Sequence, residues 1–90
     1  MSDYFTKQEA INLLGQKVEI KQNIYFESDK VTFIVIEKGK QGEVYLIEND
    51  PNGIVIHVLI DEDYQTFNKV EFNKYCHIIN YELVNYASYL

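Results

Sequence analysis

The side chains able to do chemistry in this chain are few and scattered. Cys76 and His77 are neighbours, His57 sits inside an apolar run, Asp61-Glu62-Asp63 is an acidic run, and Ser2, Ser28 and Ser88 are isolated. Zinc sites draw paired ligands at short spacing from two segments. Cys76-His77 supplies one such pair, and neighbouring side chains diverge in a strand or a helix, so His57 as a third ligand does not complete a site. Cys76 is expected in the core as a small apolar residue, and His57 beside a carboxylate or in solvent. Asp61 and Asp63 alternate as calcium ligands do, with Glu71 downstream, but no glycine makes the sharp turn of a calcium loop. The run reads as a solvated loop, and adjacent acids share one environment where a catalytic pair needs two. The serines lack a nucleophile elbow, and no glycine-rich loop opens a helix. The expectation is a protein that is not an enzyme, with no catalytic residue, cofactor or metal.

Tyrosine is the one over-represented functional group. There are eight, and Tyr64, Tyr75, Tyr81, Tyr86 and Tyr89 fall close to the C-terminus. Tyrosine is amphipathic and enriched where proteins meet, so these five predict an interface with another protein or with a second copy. Charge points the same way. The chain has no arginine, and its 8 lysines against 14 acidic residues leave a net charge of −6. That balance repels phosphate backbones and anionic lipid, and the guanidinium fork that reads guanine is missing. Nucleic acid and membrane are therefore not the expected partners. One cysteine allows no intramolecular disulfide, and a reducing cytoplasmic setting is expected. The first residues, "MSDYFTKQEA", contain no apolar signal region.

The elements that must position these groups are legible in outline. All 90 residues are read as a single domain. "FTKQEAINLLG" starts with a capping box, Thr6 with Glu9 three residues on, and stops at Gly15, which predicts a helix over about 7–14. Strands are predicted over about 17–22, 30–37, 43–48 and 54–61. "VTFIVI" within the second of these is uniformly apolar and β-branched, the pattern of a central strand buried on both faces. "NIYFESD" before it is either a strand extension or a loop with buried aromatics. Gly39 and Gly42 in "EKGKQGEV" predict a tight turn with solvated Lys38 and Lys40. Pro51, Asn52 and Gly53 predict a three-residue hairpin loop. "FNKVEF" repeats the capping grammar with Asn68 and Glu71, which predicts a helix over about 69–75. The apolar tail, 81–90, is predicted to dock on the domain with one face and on a partner with the other.

The stretch "KGKQGEVYLIE" resembles the KOW pattern of ribosomal proteins and transcription elongation factors, through Lys38, Gly39, Gly42 and Val44. More widely, "FTKQEAINLLGQKV", "EKGKQGEV" and the closing "FNKVEFNKY" resemble a family of small uncharacterised bacterial proteins. The resemblance implies a mainly β fold, an SH3-like small barrel with an N-terminal and a C-terminal helix, and transfers no catalytic residue. The chain departs from that pattern in a longer, more apolar 23–36 segment and in lacking a tryptophan on the last strand before the closing helix. The function expected is a non-catalytic protein-interaction or accessory module. A KOW-like nucleic-acid-binding domain is the alternative.

Overall fold

The computed structural model describes residues 2–79. The expectations placed on the tail, including Tyr81, Tyr86 and Tyr89, lie outside the described residues.

Two capping boxes set both helices. Thr6 Oγ1 accepts from the Glu9 N–H at 3.2 Å, while the Thr6 N–H donates to Glu9 Oε1 at 2.8 Å, and α1 runs Lys7–Leu13. Asn68 Oδ1 accepts from the Glu71 N–H at 2.8 Å, the Asn68 N–H donates back at 2.9 Å, and α2 runs Lys69–Tyr75. Each box satisfies two donors that a helix start leaves unpaired. Gly15 takes a left-handed φ of 84° and ends α1 by donating its N–H to the Val44 carbonyl at 2.8 Å. Lys69 Nζ meets Glu9 Oε2 at 2.6 Å and ties the two helix starts together.

Among the described residues seven strands follow in chain order: β1 Lys17–Ile20, β2 Ile24–Glu27, β3 Thr32–Ile36, β4 Gln41–Asp50, β5 Gly53–Ile60, β6 Asp63–Phe67 and β7 Cys76–Ile78. Five form one antiparallel sheet in the order β6-β5-β4-β1-β7, and β2 with β3 form a separate hairpin. The fold is mainly β with two short helices, as expected. Among the described residues no pairing of β6 with β7 closes the sheet.

The core lies on one face of the five-stranded sheet. Alternation sends Val18 and Ile20 of β1, Val44 of β4, and Ile56, Val58 and Ile60 of β5 inward. Ala10, Phe5 and Phe72 bring the helices over them, with the Phe5 and Phe72 rings edge-on at 6.0 Å. Burying each of the larger aliphatic side chains stabilises the fold by about 1.5–3 kcal/mol. β4 is long enough to pair with both β1 and β5, and it bends where Tyr45 is an extra residue against β5. Gly42 lies at that shared segment, opposite both Val18 and Ile60, and a Cβ on it would run into the Leu59 carbonyl oxygen. Its role is close strand approach. It belongs to β4 and not to the preceding turn expected from the sequence. Gly39 does serve the turn, with φ 94° and its N–H donating to the Ile20 carbonyl at 2.8 Å.

Three strand expectations are corrected. The segment read as a central strand buried on both faces is β3, and all of it but Ile36 is exposed. The acidic run read as a loop is the tight β5–β6 turn: Ile60 pairs with Asp63 across it, and Asp61 takes a left-handed φ of 57°. Aspartate tolerates that region better than most residues. Pro51 and Asn52 alone form the β4–β5 turn, because Gly53 is already paired with Asp50.

Candidate functional site

The residues singled out for chemistry are held apart by the sheet. Cys76 is buried on β7 opposite Ile20, and burial pushes its thiol up to about 12, with the Lys21 charge acting weakly the other way. His77, the next residue, points to the opposite face, with Nε2 3.4 Å from Glu19 Oε2. His57 lies on β5, with Nε2 2.6 Å from Glu48 Oε1 and Nδ1 3.4 Å from Thr66 Oγ1. These three side chains sit across β4, β5 and β6 on the outer sheet face and form a cross-strand row. Asp61 pairs with Lys40 at 3.2 Å, and Glu71 is occupied in the α2 capping box. The geometry assembles none of these groups around a common point.

The described C-terminal tyrosines also separate. Tyr64 is exposed on β6, with its ring 5.5 Å from that of Tyr45. Tyr75 is half-buried at the end of α2, its ring 6.3 Å from Phe67 and under the Lys74 ammonium at 5.1 Å. Lysines are engaged at home as well. Lys17 pairs with Glu43 at 3.0 Å, Lys40 with Asp61, and Lys69 with Glu9. Lys38 is exposed, and its backbone N–H donates to Asn23 Oδ1 at 2.7 Å.

What the fold concentrates is exposed apolar surface on the β2–β3 hairpin. Tyr25, Phe26, Val31, Phe33, Ile34 and Val35 are each 45–53% exposed. Exposed apolar residues are ordinary when single and informative when contiguous. These fall within one hairpin, where Phe26 is paired with Phe33 and their rings stack at 5.1 Å. The hairpin is a built element. Its tip is fixed by Ser28, whose N–H donates to the Val31 carbonyl at 2.9 Å while its Oγ accepts from the Val31 N–H at 3.2 Å. Its base is anchored in the core by buried Ile36 and half-buried Ile24. Between these ends Val35 is an extra residue against β2 and bends β3.

Beside β3 the apolar surface runs into a groove of about 270 Å³. Ile34, Val35 and Ile36 form one side of it and Ile60 contributes from the end of β5. Glu37, Asp61 and Asp63 stand around it, with Lys40.

This hairpin is not legible in the sequence, because uniform apolar β-branching looks the same in a buried and a protruding strand. The available signal was "ESDK", a polar break between two apolar runs of strand length. No protein-family model matches the chain, and no curated protein or solved structure does.

Proposed function

We infer that the chain is a non-catalytic interaction module, and that the β2–β3 hairpin is the element it presents to another protein. The observation that carries this reading is the concentration of half-exposed aromatic and β-branched side chains on a hairpin whose tip and base are both fixed. A fixed hairpin loses little conformational entropy on binding, and its aromatic side chains supply the anchors that dominate protein interfaces. The strand arrangement, with a long bulged β4 shared by the two halves of the sheet, suits the SH3-like small barrel implied by the sequence. In that arrangement the five-stranded sheet is the scaffold and the hairpin is an arm between its first two strands. The KOW-like nucleic-acid reading has less support. Lys17, Lys40 and Lys69 already face carboxylates of the chain, and the net charge is −6.

A photo-crosslinking residue at Phe33, compared with one at exposed Lys7 on α1, tests the reading in the native cell. The expected outcome is a discrete protein adduct from position 33 that position 7 does not give. Adducts to nucleic acid, or the same background from both positions, would overturn it.

A further inference from the structure

The hairpin surface does not end at β3, and what borders it selects the chemistry of the partner. Ile34 and Val35 belong both to the exposed hairpin face and to the groove beside it. The groove takes its apolar wall from Ile34 and Val35, while Ile36 and Ile60 behind it are nearly fully buried. Around it stand three carboxylates, Glu37, Asp61 and Asp63, against one ammonium, that of Lys40. Lys40 lies 3.2 Å from Asp61 and balances that charge. Among the described residues Glu37 and Asp63 form no ion pair. Exposed Ile34 and Val35 beside unbalanced carboxylates suit a side chain with an aliphatic stem and a cationic head, which lays its methylenes along the apolar wall and its charge against the acids. Resting on the hairpin reading above, we propose that the partner is a segment of another protein carrying apolar side chains next to a lysine or arginine. The apolar side chains cover Ile34 and Val35, and the basic side chain enters the groove beside Glu37 and Asp63.

Charge complementarity also decides against the other occupants. A second copy brings another −6 to the surface, which opposes its association. An anionic lipid surface is repelled in the same way. A basic segment gains on both counts, and its association is steered by the net charge of the whole chain.

The probes are short fluorescent peptides binding the full chain, read by anisotropy. One alternates valine with lysine, a second has glutamate for lysine, and a third has serine for valine. The valine–lysine peptide is expected to bind more tightly than either of the others, and more weakly as salt is raised. The double change Glu37→Gln with Asp63→Asn removes the carboxylates at the groove while keeping side-chain size. It is expected to weaken that peptide by roughly tenfold. The double change Glu27→Gln with Asp29→Asn alters net charge by the same amount at the hairpin tip and should leave binding within about twofold. Equal weakening by both double variants would reduce the effect to net charge and overturn the proposal. So would equal binding of the lysine and glutamate peptides. If the chain instead sediments as a dimer that Phe33→Ser dissociates, the occupant is a second copy. The proposal then fails while the hairpin remains a protein-contact surface. Failure of the Phe33 crosslink to give any protein adduct would remove the underlying reading itself.

Discussion

Strands β5 and β3 are made of the same residue types and stand in opposite surroundings. β5 reads Gly-Ile-Val-Ile-His-Val-Leu-Ile and β3 reads Thr-Phe-Ile-Val-Ile. In β5, Val55, Ile56, Val58 and Ile60 are buried, whereas in β3 only Ile36 is. The difference lies in the neighbours. β5 has β4 on one side and β6 on the other, with Ala10, Phe5 and Phe72 over its inner face. β3 has β2 alone. A β-branched apolar stretch therefore states that a strand will form and leaves open whether a second layer will cover it. In β5 the layer comes from the same chain. In β3 we assign it to a partner.

Matched truncations break this comparison most strongly. Ile56→Ala in β5 is expected to cost about 2–5 kcal/mol of stability, since the side chain is fully enclosed. Ile34→Ala in β3 is expected to cost less than about 1 kcal/mol, because the side chain is 45% exposed. Urea unfolding followed by tyrosine fluorescence measures both. Equal losses would place Ile34 in the same core as Ile56.

Gly42→Ala sharpens the account of the scaffold. The added methyl must displace the Leu59 carbonyl, the Ile60 side chain, or both, where β4 lies close against β5. Overpacking of this kind costs about 1–3 kcal/mol. A neutral effect in the same unfolding experiment would show that β4 and β5 separate freely there.

Both caps belong to the scaffold side of the comparison. Thr6→Ala and Asn68→Ala are each expected to lower stability by about 0.5–2 kcal/mol without changing peptide binding by the hairpin. The hydrogen bond from Lys69, followed by that from the Thr6 N–H, holds the Glu9 carboxyl below the usual carboxylate range. A lowered folded value means that this contribution is present above the ordinary carboxylate range and is lost as pH falls through the folded value. The stability gap between the wild type and Glu9→Gln should therefore shrink on acidification. A gap that widened in acid would contradict the pairing.

Much of the scaffold is legible in the residues themselves. Thr6 with Glu9, and Asn68 with Glu71, mark helix starts because a short polar side chain followed by glutamate three residues later satisfies the same backbone donors wherever it occurs. Gly15 and Gly39 mark left-handed positions because the alternatives carry a Cβ. Other features depend on what is distant in sequence. Nothing near Gly42 shows that Leu59 will lie against it. β6 was hidden because Asp61-Glu62 turns without glycine, although Gln65 and Phe67 alternate with Tyr64 and Thr66 as a strand on β5 should. The hairpin is hidden for a physical reason: exposure is decided by what else is present, and "VTFIVI" carries no record of that. The five C-terminal tyrosines pointed to an interface from their number alone. The structure sends Tyr64 and Tyr75 to different surroundings, and the apolar surface gathers instead around Phe26 and Phe33.

A further expected effect is a difference in reactivity. Cys76 should react slowly with a thiol reagent in the folded chain, because it is buried and its thiol is pushed up to about 12. A cysteine placed at the hairpin tip by Ser28→Cys should react at the rate of an exposed thiol. The sign with pH follows from the raised folded value. As pH climbs above the ordinary thiol range, the unfolded chain loses the proton first, so the wild type should lose stability relative to Cys76→Val toward about 12. Equal labelling of the two positions would place Cys76 outside the core.

The division of labour between sheet and hairpin is tested most directly by amide hydrogen exchange of the full chain alone at low concentration. Amides of residues 55–60 should exchange only through global unfolding, and those of 32–35 through local opening at rates orders of magnitude faster. Equally slow exchange in both strands would mean that the hairpin is covered within the chain, and would contradict its assignment as a surface awaiting a partner.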